Sequence, residues 1–208
     1  MQRKPLCKIT TVNGALQEED LRKRLPDCLR LIRDFHEVDV SQHKDFKDTY
    51  SRFFTFRGKQ LWENVAKHFN FMQELKESYQ GVEGNLTFGT VLEGLHKKLK
   101  ILTPSFSSKL LSIVNPEMPV WDSKVRAQLK NFGVIRKVPS HYRQKAGNKC
   151  PNIDKWHEFY TEEICGWYNG FVESEEAKTW IEQFDEQYPE AKGITKVKKI
   201  DLILWQIR

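Results

Sequence analysis

Several things are scarce in this 208-residue chain, and each scarcity removes a class of protein. Its four cysteines (Cys7, Cys28, Cys150 and Cys165) lie far apart with no CxxC pair. A zinc ribbon, a cysteine-ligated iron–sulfur cluster and a disulfide framework therefore lack support. No stretch approaches 18 uninterrupted apolar residues, which excludes a helical membrane span. The start, MQRKPLCKITT, has a basic tip without the apolar run of a secretory signal, so a reduced, intracellular protein is expected. The six histidines form no HxxxH or HExxH pattern, and no metal or other cofactor is expected. GxGxxG, GxxxxGK[ST] and GxSxG are all missing, which removes the dinucleotide, P-loop and hydrolase-elbow readings. There is no internal repeat and no low-complexity tract.

What is present suits a folded core. Hydrophobic residues make up 39% of the chain, with 13 Phe, 6 Tyr and 6 Trp, and the length fits one domain that could divide into two lobes. The net charge of +6 favours a polyanionic partner. Leu16, Leu21, Leu25, Leu29, Ile32 and Phe35 recur at helical spacing between Ala15 and Val38, with Asn13-Gly14 reading as a turn before them. Pro26 is expected to kink or split that segment. Further helices are predicted over about 58–79, from an Asn85 cap to Leu99, over 105–114, from Asp122 to Leu129, over 152–168 and 174–188, and at the apolar end ITKVKKIDLILWQIR. Residues 133–151, basic and aperiodic, read as a long irregular loop. The fold class is mostly α with at most a minor strand contribution.

The most informative stretch is Thr103-Pro-Ser-Phe-Ser-Ser-Lys109, followed by LLSIVNPEMPVW and Asp122-Ser-Lys-Val. A proline turn opens a helix that carries a lysine, and a proline-rich loop then delivers an aspartate thirteen residues on. Ser105, Ser107 and Ser108 surround the helix start, where free backbone N–H groups and the helix dipole favour an anion such as phosphate. Asp122 suits the N-cap of the helix it opens.

These segments resemble the helix-hairpin-helix DNA glycosylase superfamily, which includes endonuclease III and 8-oxoguanine DNA glycosylase. The family hairpin, approximately Leu-Pro-Gly-Val-Gly-x-Lys, overlies Thr103–Lys109 without a gap. Its aspartate loop, Pro-x-x-Val-Asp-x-x-Val, overlies Pro119-Val-Trp-Asp122-Ser-Lys-Val125. The match is strongest over about 85–130. The resemblance implies a glycosylase-like helical fold, Lys109 as a Schiff-base lysine, Asp122 as the catalytic carboxylate, duplex DNA as partner, and an oxidised purine as the base suggested by the nearest-looking members. The hairpin glycines are Ser105 and Ser107 here, and the lysine-to-aspartate interval is shorter than in better-known members.

The chemistry accounts for both residue types. Breaking an N-glycosidic bond develops positive charge on the sugar, which a fixed carboxylate stabilises. A lysine attacks C1′ only when neutral, so burial and nearby positive charge must lower its proton affinity. Lys97, Lys98 and Lys100 before the hairpin, Lys124 after the aspartate, and Arg143 in the irregular stretch are candidate nucleic-acid contacts. Two further basic groups are Arg136, Lys137, Lys145 and Lys149, and near the end Lys192, Lys196, Lys198 and Lys199. Trp121, Phe132, Tyr142 and Trp156 could wall a pocket for an extruded base. Two alternatives stay open from the residues alone: a non-catalytic nucleic-acid-binding protein of the same fold, and an all-α module that meets a protein partner.

Overall fold

The computed structural model describes residues 6, 9–55, 64–79, 86–145 and 148–207. The chain is mostly helical. Helices α1 (Ile9–Gln17) and α2 (Glu19–Glu37) are separated at Glu18, whose extended backbone caps the second. The break therefore does not fall at Pro26, which rides inside α2 with its ring exposed, because the inward stripe Leu21, Leu25, Cys28, Leu31 and Phe35 continues past it. Asn13-Gly14 is not a turn either. Both residues sit on the exposed side of α1 while Val12, Ala15 and Leu16 bury the other. Tertiary packing outweighs the local turn signal at this point.

Helix α3 (Lys44–Phe53) and α4 (Val65–Tyr79) pack an aromatic layer from Phe35, Phe46, Tyr50 and Phe69. The predicted Gly81–Gly84 turn and the Asn85 cap lie outside the described residues, as do Cys7 and residues 58–63 of the helix expected from residue 58. Helix α5 (Phe88–Leu99) is capped by Thr87, whose hydroxyl accepts from the Thr90 amide at 3.2 Å, and it ends at Lys100 in the left-handed region (φ 60°). Four residues later Pro104 opens α6 (Pro104–Val114), a position where its missing N–H costs nothing. A loop then leads to α7 (Ser123–Asn131).

The expected irregular stretch contains a hairpin, β1 (Tyr142–Lys145) antiparallel to β2 (Asn148–Pro151), with Arg143 opposite Cys150. From Ile153 to Val172 the chain stays helical, as α8 (Ile153–Glu158), a π-helical turn (Phe159–Cys165) and α9 (Gly166–Val172). Tyr160, in the π turn, stacks on Phe88 at 4.1 Å between ring centroids. Helix α10 (Glu175–Gln187) follows, capped by Ser174. Helix α11 (Lys196–Leu204) is buried from Val197 onward and packs against α1, α7, α9 and α10. It carries Lys198, Lys199 and Asp201 into the interior, so the basic cluster expected near the C-terminus is in part a feature of the core. Lys199 meets Asp185 at 2.6 Å and the Lys192 carbonyl at 3.0 Å.

Helices α4 and α5 approach closely at Gly94, where a methyl group would overlap the Phe71 ring. Gly94→Ala should therefore destabilise the fold by about 1–2 kcal/mol, overpacking outweighing the ~1 kcal/mol gain in helix propensity. Thermal unfolding measures this, and a stabilised variant would show that the contact relaxes freely.

Candidate active site

Lys109 lies one and a half turns into α6 and is buried. Its ammonium donates to the Phe54 carbonyl at 3.1 Å and stands 3.9 Å from an Asp122 oxygen. The Phe106 and Phe54 rings lie beside it, with centroids 5.3 and 5.8 Å away. Burial lowers its proton affinity below the ordinary lysine value, the Asp122 carboxylate works against that shift, and the Arg24 guanidinium adds to it. Such a lysine reaches its neutral, nucleophilic form at lower pH than a surface lysine.

Asp122 holds its place through the helix it opens. One oxygen accepts the Lys124 and Val125 amides, both at 3.0 Å, in an N-cap, and the other faces Lys109. Capping thus aims the carboxylate. The preceding loop is tied down at four points. The Pro116 carbonyl accepts from the Thr195 hydroxyl at 2.8 Å and the Pro119 carbonyl from the Tyr160 hydroxyl at 2.5 Å. The Val120 amide donates to Asp201 at 3.0 Å, and the Trp121 amide to the Ser108 hydroxyl at 2.9 Å. The last five residues of α6 and this clamped loop fill the interval between the paired side chains.

The pair lines a cavity of about 380 Å³ together with Arg24, Phe53, Phe54, Thr55, Ser123, Lys124 and Trp205. Phe53 and Trp205 are 5.3 Å apart and Phe53 and Phe54 4.7 Å, which gives the cavity an aromatic flank. Arg24 is held by Asp20 at 2.8 Å and by the Phe53 carbonyl at 2.6 Å. Lys124 stands 3.5 Å from Asp20. Three cations and one carboxylate therefore surround the space. Thr55, at φ 50°, occupies a conformation that β-branched residues rarely adopt, directly after the carbonyl that receives Lys109.

The other expected contacts fall elsewhere. Ser107 and Ser108 are fully buried. The Ser107 hydroxyl bonds the Thr103 carbonyl at 3.0 Å, and that of Ser108 bridges to the Trp121 backbone. In this arrangement neither hydroxyl can reach a phosphate; they serve the helix start and the aspartate loop. Ser105 is partly exposed and borders a neighbouring groove with Trp121, Arg126, His141 and Trp156. Lys97 and Lys98 pair with Glu93 and Glu74 at 2.8 and 2.5 Å, whereas Lys100 is exposed. Arg143 pairs with Asp154 at 3.2 Å. The Lys145 and Lys149 side chains lie outside the described residues.

The rings expected to wall a base pocket do not line the Lys109 cavity. Trp121 and Trp156 are core residues, both edge-on to Phe159. Phe132 ends α7, and the Tyr142 hydroxyl accepts the Leu102 amide at 3.2 Å. The aromatic flank comes instead from Phe53, Phe54 and Trp205. Phe53 and Phe54 belong to the run Arg52-Phe-Phe-Thr-Phe-Arg57, whose aromatic composition does not by itself tell a cavity wall from core. Among the described residues no group of three or more His, Cys, Asp or Glu side chains is placed to hold a metal ion, and no helix is long and apolar enough to cross a membrane. No family model, curated protein or solved structure matches the chain.

The buried amine has a stability signature. A lysine with lowered proton affinity in the folded state costs stability in full at neutral pH, and the cost fades as pH rises toward the ordinary lysine value. Lys109→Met should therefore be more stable than wild type at pH 7, by on the order of 1 kcal/mol, with the gain shrinking toward about pH 10. Thermal melts across that range decide it; a less stable variant at pH 7 would contradict the assignment.

Proposed function

We propose that this chain is a DNA base-excision glycosylase of the helix-hairpin-helix kind, with Lys109 and Asp122 as its catalytic pair and duplex DNA as its substrate. The observation that carries the reading is the pairing itself. A buried lysine of lowered proton affinity stands 3.9 Å from a carboxylate aimed by a helix cap, in a cavity with an aromatic flank and a cationic lining. The turn before α6 and the aspartate loop stand in the order that the hairpin resemblance implies.

The pair suits one reaction. As the C1′–N bond breaks, its electrons leave with the base, and the Asp122 carboxylate stabilises the positive charge on the sugar. Neutral Lys109 supplies the lone pair that forms a new C1′–N bond. One proton of the resulting ammonium passes to the ring oxygen O4′ as the C1′–O4′ bond breaks, which leaves the protonated Schiff base, and the departing base takes a proton from solvent. The first turn of α6 offers amides to a backbone phosphate, and Lys124 at the cavity supplies charge beside it.

Borohydride trapping on duplexes with 8-oxoguanine, uracil or an abasic site tests this. We expect a covalent adduct that Lys109→Gln abolishes. Asp122→Asn, which keeps a good N-cap, should leave the melting temperature nearly unchanged while slowing base release by about 100-fold or more. Base release without an adduct would point to a monofunctional enzyme that depends on Asp122. Absence of both, with binding that weakens steeply with salt, would leave a DNA-binding protein without the chemistry.

A further inference from the structure

The group that ties the aspartate loop to the core is itself charged and buried. Asp201, on α11, is 1% exposed. One of its oxygens accepts the Val120 amide at 3.0 Å, and the other accepts the Tyr168 hydroxyl at 2.6 Å. The Lys198 ammonium, one turn earlier and equally buried, stands 3.9 Å away, beyond hydrogen-bond reach, and has no hydrogen-bond partner among the described residues. A carboxylate and an ammonium so placed are a costly way to fill a core, because burying the pair gives up hydration that the separation does not return. An apolar pair would pack there at lower cost, but it would leave the Val120 amide without an acceptor.

We propose that Asp201 is the positioning residue of the site: through the Val120 amide its carboxylate holds the 115–121 loop in the register that sets Asp122 opposite Lys109. This rests on the reading of Asp122 as the working carboxylate. Val120 lies two residues before Asp122, and the Pro119 and Trp121 bonds to Tyr160 and Ser108 flank it, so the Asp201 bond is the central one of three consecutive ties. The electrostatics agree. Desolvation raises the Asp201 carboxyl to about 7, against the pull of Lys198, the Tyr168 hydroxyl and the Val120 amide, with Asp122 adding to the rise. Tyr160 and Cys165 from the π turn and Cys28 from α2 are the other titratable groups that sense Asp201, and all three are held neutral by burial. Because the folded state keeps this proton up to about 7, the contribution of Asp201 to stability is present below the ordinary carboxylate range and is lost as pH rises through about 7. The ionised form that grips the loop amide most strongly is thus the form that costs the fold most.

That opposition separates positioning from plain structure. The neutral double variant Lys198→Met/Asp201→Leu, which removes the acceptor, should melt no lower than wild type at pH 7.5, yet lose at least tenfold of the hydrogen-exchange protection of the Val120 amide, with α2 amides unchanged. Lys198→Met alone keeps the carboxylate and should keep Val120 protected. Reductive methylation of Lys109, followed against pH, should show its midpoint shifted downward in the double variant as the Asp122 carboxylate loses its fixed position. Neither readout requires turnover, so failure of the glycosylase reading and failure of this one are distinct results. In wild type, protection of Val120 corrected for intrinsic exchange should fall several-fold from about pH 8 to about pH 6. A flat wild-type profile, or a double variant in which protection falls uniformly with the melting temperature, would overturn the assignment.

Discussion

The site depends on one constraint: a lysine ammonium taken out of water and given less than a full ion pair in return. Lys109 has a carbonyl at 3.1 Å and a carboxylate at 3.9 Å, with two aromatic rings beside it. A fold selected only for stability would place an apolar residue there. Around this lysine the chain spends unusual local structure. Thr55 adopts a left-handed conformation next to the accepting carbonyl, Arg24 is fixed from two sides, and Asp122 gives one oxygen to a helix cap while the other faces the amine. These features converge on one cavity although they come from α2, the end of α3, α6, the aspartate loop and the residue after α11.

Helix α11 explains how such distant segments stay in register. Eight of its nine residues are buried, and its polar side chains point at the pieces that need fixing. Asp201 reaches the aspartate loop, the cap of α11 at Thr195 reaches Pro116 in the same loop, and Trp205 just past its end joins Phe53 at the cavity. Its hydrophobic residues supply the core, and its few polar ones supply the geometry. The loop needs such help. It contains two prolines, makes few backbone bonds of its own, and would otherwise leave amides unpaired in the interior.

Much of this was legible in the sequence. Apolar spacing locates most helices, and the proline at 104 and aspartate at 122 mark the starts of α6 and α7 because the N1 proline and the N-cap carboxylate are local effects. The juxtaposition of Lys109 and Asp122 was also within reach, since half a helix and one loop separate them. What lay beyond reach depends on three dimensions. Ser107 and Ser108 look like phosphate ligands in one dimension, but helical periodicity turns both hydroxyls inward. Trp121 and Trp156 resemble pocket walls by type, whereas the walls are Phe53, Phe54 and Trp205, residues up to about 150 positions apart in the chain. Arg24 carries no local signal that tells it from the other arginines of α2.

Charge shows the same divide between counting and placing. The net charge of +6 suggests basic clusters, yet Lys198 and Lys199 are buried, and Lys98 and Arg143 are engaged with carboxylates. Among the described residues, Lys100, Arg126, Arg136 and Lys137 are exposed and form no ion pair. Lys100 ends α5 at the turn before α6, and Arg126 borders the groove beside that turn. Arg136 and Lys137 follow in the segment after α7, and Lys137 shares with Val138 and Pro139 the lining of a further surface depression. Unpaired cations attract a phosphate more strongly than cations that must first surrender a carboxylate. The charge available to a polyanion is therefore better judged from unpaired side chains such as these four than from the basic runs that stand out in the sequence.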